Sequence, residues 1–281
     1  MIEYTPAVDR IIERALAEDI GDGDLTTEAV VDASAQGRAT LLAKEDLVLA
    51  GLWVFRRVFQ LLRPDTAFET LYEDGQKVAA GDRLGLIKGS ARAILMGERT
   101  ALNILQRMCG VATLTRRFIE RAGPARVRIV DTRKTAPGLR VLDKYAVRMG
   151  GGFNHRMGLY DGILIKDNHI VAAGSVARAV LLARERAPHT LKVEVEVEDL
   201  AGLKEAIEAG ADVVLLDNMS CEMMAQAAKI AAGRVVTEAS GNVNLDNIRE
   251  VAGTGVDVIS IGALTHSARA VDLSLELEPV L

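Results

Sequence analysis

Beyond Pro124 the chain alternates short apolar runs with amphipathic stretches, and this alternation is its strongest constraint on fold. The runs are RVRIVDT, GILIKD, LKVEVEV, ADVVLLD, RVVTEAS and VDVISIG, the last four beginning about every 21–22 residues. A short strand, a helix and two tight loops fill such a repeat. Strands joined through helices run parallel, and this many of them form either a doubly wound sheet or a barrel. No GxGxxG follows the first run and there is no P-loop, so the fingerprints of nucleotide-binding doubly wound sheets are missing. Polar groups recur instead where the runs end: Arg133 and Lys134, Lys166, Glu196, Asp217, Ser240 and Gly262. In α/β barrels that rim is where catalytic groups collect, so the pattern predicts a barrel.

The first third obeys a different grammar. Val8, Ile11, Ile12, Ala15 and Leu16 share one face of a predicted helix over 7–20. From Arg38 come short apolar strands, with EDGQ and AAGDR as glycine-centred turns that imply antiparallel pairing. LWVFRRVFQLL between them reads as a helix, and a long helical pattern starts at Ser90, with Gly97 and Gly110 as candidate bends. This part is an α+β unit.

Within the second part, residues 131–169 hold seven Lys/Arg against four Asp, a local +3 in a chain of net −5. A cationic island in an acidic protein gathers anionic ligands. Arg140, Lys144 and Arg148, four apart, read as a solvated helix stripe; Arg133, Lys134, His155, Arg156 and Lys166 end or follow apolar runs and do not. In KVEVEVE the valines 193, 195 and 197 share one face and the glutamates 194, 196 and 198 the other. On an edge strand the glutamates would face water; on a central parallel strand they line an interior and need a metal or the basic groups as partners. Asp217 ends VVLLD one unit later, which brings it to the same rim as Glu196. Two carboxylates plus substrate phosphates suit Mg²⁺, although an Asp-Asn pair after a strand also suits a helix N-cap. Ser240-Gly241-Asn242 and Gly262-Ala263 read as phosphate cradles, with His266 in support. Neither His155 nor His169 has a zinc-like neighbour; His155-Arg156 suits a carboxylate, and His169 reads as orienting its neighbours.

Composition narrows the class. With 34 basic and 39 acidic residues there is no general nucleic-acid footprint, and no apolar run nears the ~18 residues of a membrane span. The acidic, amphipathic N-terminus does not read as a signal peptide, and two isolated cysteines, Cys109 and Cys221, suggest a reducing compartment; a cytoplasmic location is expected.

ERTALN (98–103), DTRKTAPGLR (131–140), GGFNHR (151–156), GLYDGILIKDNH (158–169), VEVEVE (193–198), LLDNM (215–219), EASGN (238–242) and DVISIGALTHS (257–267) together resemble the quinolinate phosphoribosyltransferase family along essentially the whole chain. The resemblance implies an incomplete parallel α/β barrel (residues 110–269), an N-terminal α+β sandwich-like domain (1–109), and a tail (270–281) packing back on that domain. It implies phosphoribosyl transfer from phosphoribosyl pyrophosphate to quinolinate with decarboxylation, yielding nicotinate mononucleotide, with Mg²⁺, in a homodimer or a hexamer of dimers. Matched position by position, it implies quinolinate-binding cations at Arg133, Lys134, His155, Arg156 and Lys166. Arg99 resembles an arginine that reaches the neighbouring subunit's site. Glu196 and Asp217 match the acidic pair associated with metal and ribose, with Lys134 and Lys166 beside them in catalysis. Ser240, Gly241, Asn242, Gly262, Ala263 and His266 fall in the phosphate loops. Asn242 departs from a frequent family form, which has a second glycine there.

Two other readings compete. A Schiff-base lyase would use Lys166 or Lys134 as nucleophile, but leaves Arg133, Arg156 and the acidic pair idle. A paralogue such as the relative found with molybdate transport would not need the intact RKT, NHR and KDNH sets.

Overall fold

Antiparallel and parallel strands segregate in the structure, a computed structural model that describes residues 6–278. The first elements are α1 (Pro6–Ile20), α2 (Leu25–Val30), β1 (Gln36–Ala43), β2 (Leu47–Val48), α3 (Leu52–Leu62), β3 (Ala67–Thr70), β4 (Lys77–Val78) and β5 (Arg83–Ser90). A long helix follows, α4 (Ala91–Ala122), then β6 (Arg128–Val130), α5 (Arg140–Met149), β7 (Ile163–Ile165), α6 (Asp167–Ala173) and α7 (Val176–Arg186). The remainder is β8 (Val193–Val197), α8 (Leu200–Glu208), β9 (Val213–Asp217), α9 (Cys221–Ala231), β10 (Val236–Ser240), α10 (Ile248–Ala252), β11 (Val258–Ser260), α11 (Ala263–His266) and β12 (Leu273–Leu277). No described helix is long and apolar enough to cross a membrane.

The chain forms two compact units, one comprising Met1–Arg116, Thr135–Gly151 and Ser267–Leu281, the other Arg117–Lys134 and Gly152–His266. Each unit draws on more than one stretch of the chain. The first unit holds an antiparallel sheet in the order β12-β1-β5-β3 and a small β2-β4 pair. The C-terminal segment thus returns to pair with β1; residues 279–281 lie outside those described. The face of α3 that carries Phe55 and Phe59 is buried, with Phe55 5.1 Å from Phe59 and 5.4 Å from Phe68 between ring centroids. Asp74 accepts the N–H groups of Gly51 and Leu52 and so closes the N-terminus of α3.

Helix α4 runs uninterrupted through both of its inner glycines. Their role is close approach rather than bending. A Cβ at Gly97 would come within 2.9 Å of the Phe59 ring, and one at Gly110 would run into the Arg269 carbonyl oxygen. Helix α5 corrects a second expectation. Arg148 is exposed and Arg140 half-buried, but Lys144 is only 1% exposed, so the three cations do not form one solvated stripe. Next to Lys144, Asp143 is fully buried and receives a bidentate pair from Arg107 at 2.9 and 2.8 Å. Spacing by four describes one helical face and cannot report that a helix is covered on more than one.

The second unit carries a six-stranded parallel sheet in the order β6-β11-β10-β9-β8-β7. From β7 to β11 consecutive strands pair, and the last strand, β11, pairs with the first, β6. Only the β6–β7 pairing that would close a barrel is missing among the described residues. Phe153 occupies that edge, bridging to Val130 in parallel sense. This is the incomplete barrel. The helices after β8 and β9 start abruptly because Asp199 and Ser220 cap them, accepting from Gly202 N–H (2.7 Å) and Met223 N–H (3.2 Å). The cap of α9 is Ser220, which leaves Asp217 outside the helix.

Candidate active site

At the C-terminal ends of these strands, β6, β7 and the 152–156 strap supply the cations, while β8, β9 and β10 supply carboxylates and a glycine turn. Curvature of the sheet brings all of them around one cavity of about 640 Å³. Its lining includes Arg133, Lys134, His155, Arg156 and Lys166 with Glu196, Asp217, Ser240, Gly241 and Asn242. Ten sequence-derived site residues therefore meet at one place.

The cations are held in position by the backbone. Arg156 donates from its guanidinium to the Gly162 carbonyl at 2.9 Å, and its buried Nε has no hydrogen-bond partner. Burial, and then the neighbouring Arg133 charge, lowers the Arg156 pKa; a guanidinium under both pressures gains from an incoming anion. Lys166 is oriented as the sequence suggested for His169: the Lys166 N–H donates to His169 Nδ1 at 2.9 Å, and Lys166 Nζ lies 2.9 Å from Glu196. A Cβ at Gly262 would come within 3.0 Å of Lys134 Cδ and 3.1 Å of His266 Cδ2, and Thr265 donates to the Lys134 carbonyl at 2.8 Å. Gly262 thus packs against the Lys134 and His266 side chains, and Gly262, Ala263 and His266 do not themselves line the cavity.

On the acidic side, Asn218 links two strand ends. Its amide donates to Asp217 at 2.9 Å and accepts from the Asn242 amide at 3.0 Å. Asn218 and Asn242 both have left-handed backbone, φ 52° and 51°, and Gly241 has φ 93°. Asn is among the few side chains that tolerate this region, which explains how it stands where glycine is frequent. A Cβ on Gly241 would run into the Asn218 amide.

His155 is held at both ring nitrogens. Nδ1 accepts the Arg156 N–H at 2.7 Å, while Nε2 lies 3.1 Å from Glu194 and 3.7 Å from Glu238. These three residues could hold a metal by proximity alone. An Nδ1 that accepts, however, leaves the ring hydrogen on Nε2, and a protonated nitrogen has no lone pair to give a metal. Glu196 and Asp217 are the better oxygen donors for a hard cation, being partly exposed at the cavity. Arg99 lies exposed on α4.

Sequence reasoning passed over Asp131, Asn218, Glu238 and Ser260. Asp131 is fully buried and accepts the His155 N–H at 2.9 Å and the Asn154 amide at 2.5 Å, anchoring the strap to the end of β6. Glu238 carried a legible signal, a carboxyl group inside the apolar run RVVTEAS.

Comparison with known proteins agrees with this geometry. Residues 24–109 match the family described as quinolinate phosphoribosyl transferase, N-terminal domain, and residues 111–276 match its C-terminal domain. A probable nicotinate-nucleotide pyrophosphorylase [carboxylating] of Bacillus subtilis is 42% identical, covering 95% of this chain and 92% of that protein. Its counterpart in Synechocystis is 43% identical, with coverage of 96% and 92%. Among solved structures, NadC from Streptococcus pyogenes superposes with a TM-score of 0.94 at 46% identity, covering 98% of each chain.

Proposed function

Because the chain belongs to the quinolinate phosphoribosyl transferase family, we propose that it transfers phosphoribosyl from phosphoribosyl pyrophosphate to the ring nitrogen of quinolinate, releasing pyrophosphate and CO₂ and leaving nicotinate mononucleotide. The observation that carries this reading is the single cavity in which four cations face a carboxylate pair and a glycine turn. Quinolinate is a dianion, and Arg133, Lys134, Arg156 and Lys166 match its two carboxylates. The orphaned Nε of Arg156 is a donor kept for such an acceptor. Phosphoribosyl pyrophosphate takes the other half, with its phosphate at Ser240–Asn242.

Loss of pyrophosphate leaves an oxocarbenium-like sugar, which the carboxylates of Glu196 and Asp217 stabilise as carboxylates do in glycoside hydrolysis. The same two residues would hold Mg²⁺, which when bound would neutralise charge on the leaving pyrophosphate. Most of the rate then comes from holding two anions in line. Once ribosylated, the ring nitrogen is cationic and accepts the electron pair released by the adjacent carboxylate, so decarboxylation needs no organic cofactor. An ion-paired Lys166 ammonium has no lone pair for imine formation, which weighs against a Schiff-base lyase.

In a dimer, exposed Arg99 would complete the partner's site. Mixing Arg99→Ala chains with Lys166→Ala chains should restore part of the lost turnover; isolated heterodimers with none would remove that role. The free cysteines, Cys109 and Cys221, fit a reducing compartment, the cytoplasm. The reading as a whole is tested by coupling quinolinate-dependent CO₂ release to nicotinate mononucleotide formation. Equal yields that require phosphoribosyl pyrophosphate are expected, and CO₂ release without it would overturn the reading.

A further inference from the structure

The proposed reaction leaves one proton without a source. When the carboxylate next to the ring nitrogen departs as CO₂, its electron pair stays on the ring carbon, and that carbon must gain hydrogen. Most polar groups of the cavity are committed elsewhere. Glu196 accepts from Lys166, Asp217 accepts from Asn218, and the His155 Nε2–H faces Glu194. Glu238 is different. It lines the cavity, is 4% exposed, and its Oε1 has no hydrogen-bond partner. Glu194, 7% exposed on β8, also leaves Oε1 without one. Glu194 and Glu238 crowd one imidazole in a buried site, and there burial and the neighbouring charge favour the protonated form of Glu238.

We propose that Glu238 is the acid that protonates the ring carbon vacated by CO₂, an inference that rests on the reaction proposed above. The C–C bond to the carboxylate breaks, CO₂ leaves, and the retained pair takes the proton from the Glu238 carboxyl. Glu238 is left as a carboxylate and recovers a proton from water. Its surroundings suit the task. Burial and then the Glu194 charge push the Glu238 carboxyl up to about 7, against the opposing pull of His155 and a hydrogen bond with Ser260. Across the cavity it shares the space with Arg133, Lys134, Arg156, Lys166, Glu196 and Asp217. A carboxyl poised near neutrality is both stable as an acid and able to give its proton.

The test separates the two halves of the reaction. In a single turnover, wild-type protein should release pyrophosphate, CO₂ and nicotinate mononucleotide, which checks the reaction itself. Glu238→Gln should still release pyrophosphate at close to the wild-type rate, while nicotinate mononucleotide forms roughly a hundredfold more slowly. Its quinolinate KM should stay within about threefold of wild type. Glu238→Asp, which keeps an acid, should recover part of the rate. The wild-type rate should fall as pH rises through about 7, and that limb should vanish in Glu238→Gln. Should Glu238→Gln not fold, Glu194→Gln carries the test, because removing the neighbouring charge should move the limb to lower pH. Pyrophosphate and product release slowed alike, an unchanged product rate, or a limb that persists in Glu238→Gln or stays fixed in Glu194→Gln would each overturn the assignment.

Discussion

Asp143 and Glu238 are both buried carboxyl groups, and the chain treats them in opposite ways. Asp143, in the first unit, has every need met: a bidentate Arg107 and the Ala136 N–H at 3.1 Å. Glu238, in the second, sits beside another carboxyl group, and its Oε1 makes no hydrogen bond, with the His155 ring 3.7 Å away. A fully paired buried charge is a structural part, costly only when a partner is removed. An under-satisfied one holds free energy that a substrate or a proton can release. Arg156, with its orphaned Nε, belongs with Glu238 on this scale.

Four substitutions would break or sharpen this contrast. Arg133→Ala or Lys166→Ala should have the largest effect, lowering kcat/KM by about a thousandfold while leaving stability within about 0.5 kcal/mol, since both cations are exposed and, in the proposed reaction, bind the substrate. Steady-state kinetics beside urea denaturation checks both halves, and retained turnover in either variant would remove that residue from the site. Asp143→Ala should do the reverse. It strands Arg107, whose side chain is 27% exposed, so the loss falls at the low end for a broken buried pair, about 3 kcal/mol by urea denaturation. Wild-type stability there would show that the pair is ornamental.

The last effect, comparable in size, concerns pH. Between about 4.5 and about 7 the folded chain keeps a proton on Glu238 that the unfolded chain has lost. The folded state therefore binds more protons in that window, and stability declines as pH rises through it. Glu238→Gln removes this contribution, so its stability should fall less over the same window, by a difference on the order of 3 kcal/mol. Parallel curves for the two proteins would mean that Glu238 ionises normally.

What the sequence could and could not disclose follows from the same contrast. Strand ends were legible because an apolar run that stops at Lys166, Glu196 or Asp217 leaves few alternatives for the polar group. The parallel order followed from βα alternation. Lys144 was misread because its spacing from Arg140 and Arg148 describes one helical face, whereas burial depends on what other segments cover it. Gly97 and Gly110 were misread for a similar reason: a glycine that bends a helix and one that admits a neighbour look alike in one dimension. Asp131 was hidden because its partners, Asn154 and His155, are joined to it by tertiary structure alone.

The unclosed seam between β6 and β7 has a consequence for how this protein can change. A strand in a ladder cannot gain or lose one residue without turning its side chains to the opposite face. The 152–156 strap is instead pinned by the Phe153 bridge and the Asp131 carboxylate. One residue more or less there shifts His155 and Arg156 relative to the cavity and leaves the β7–β11 and β11–β6 pairings intact. The part of the sheet proposed to read the anion is thus the part where length can vary most cheaply, and a new acceptor specificity could enter by insertion there rather than by rebuilding the barrel.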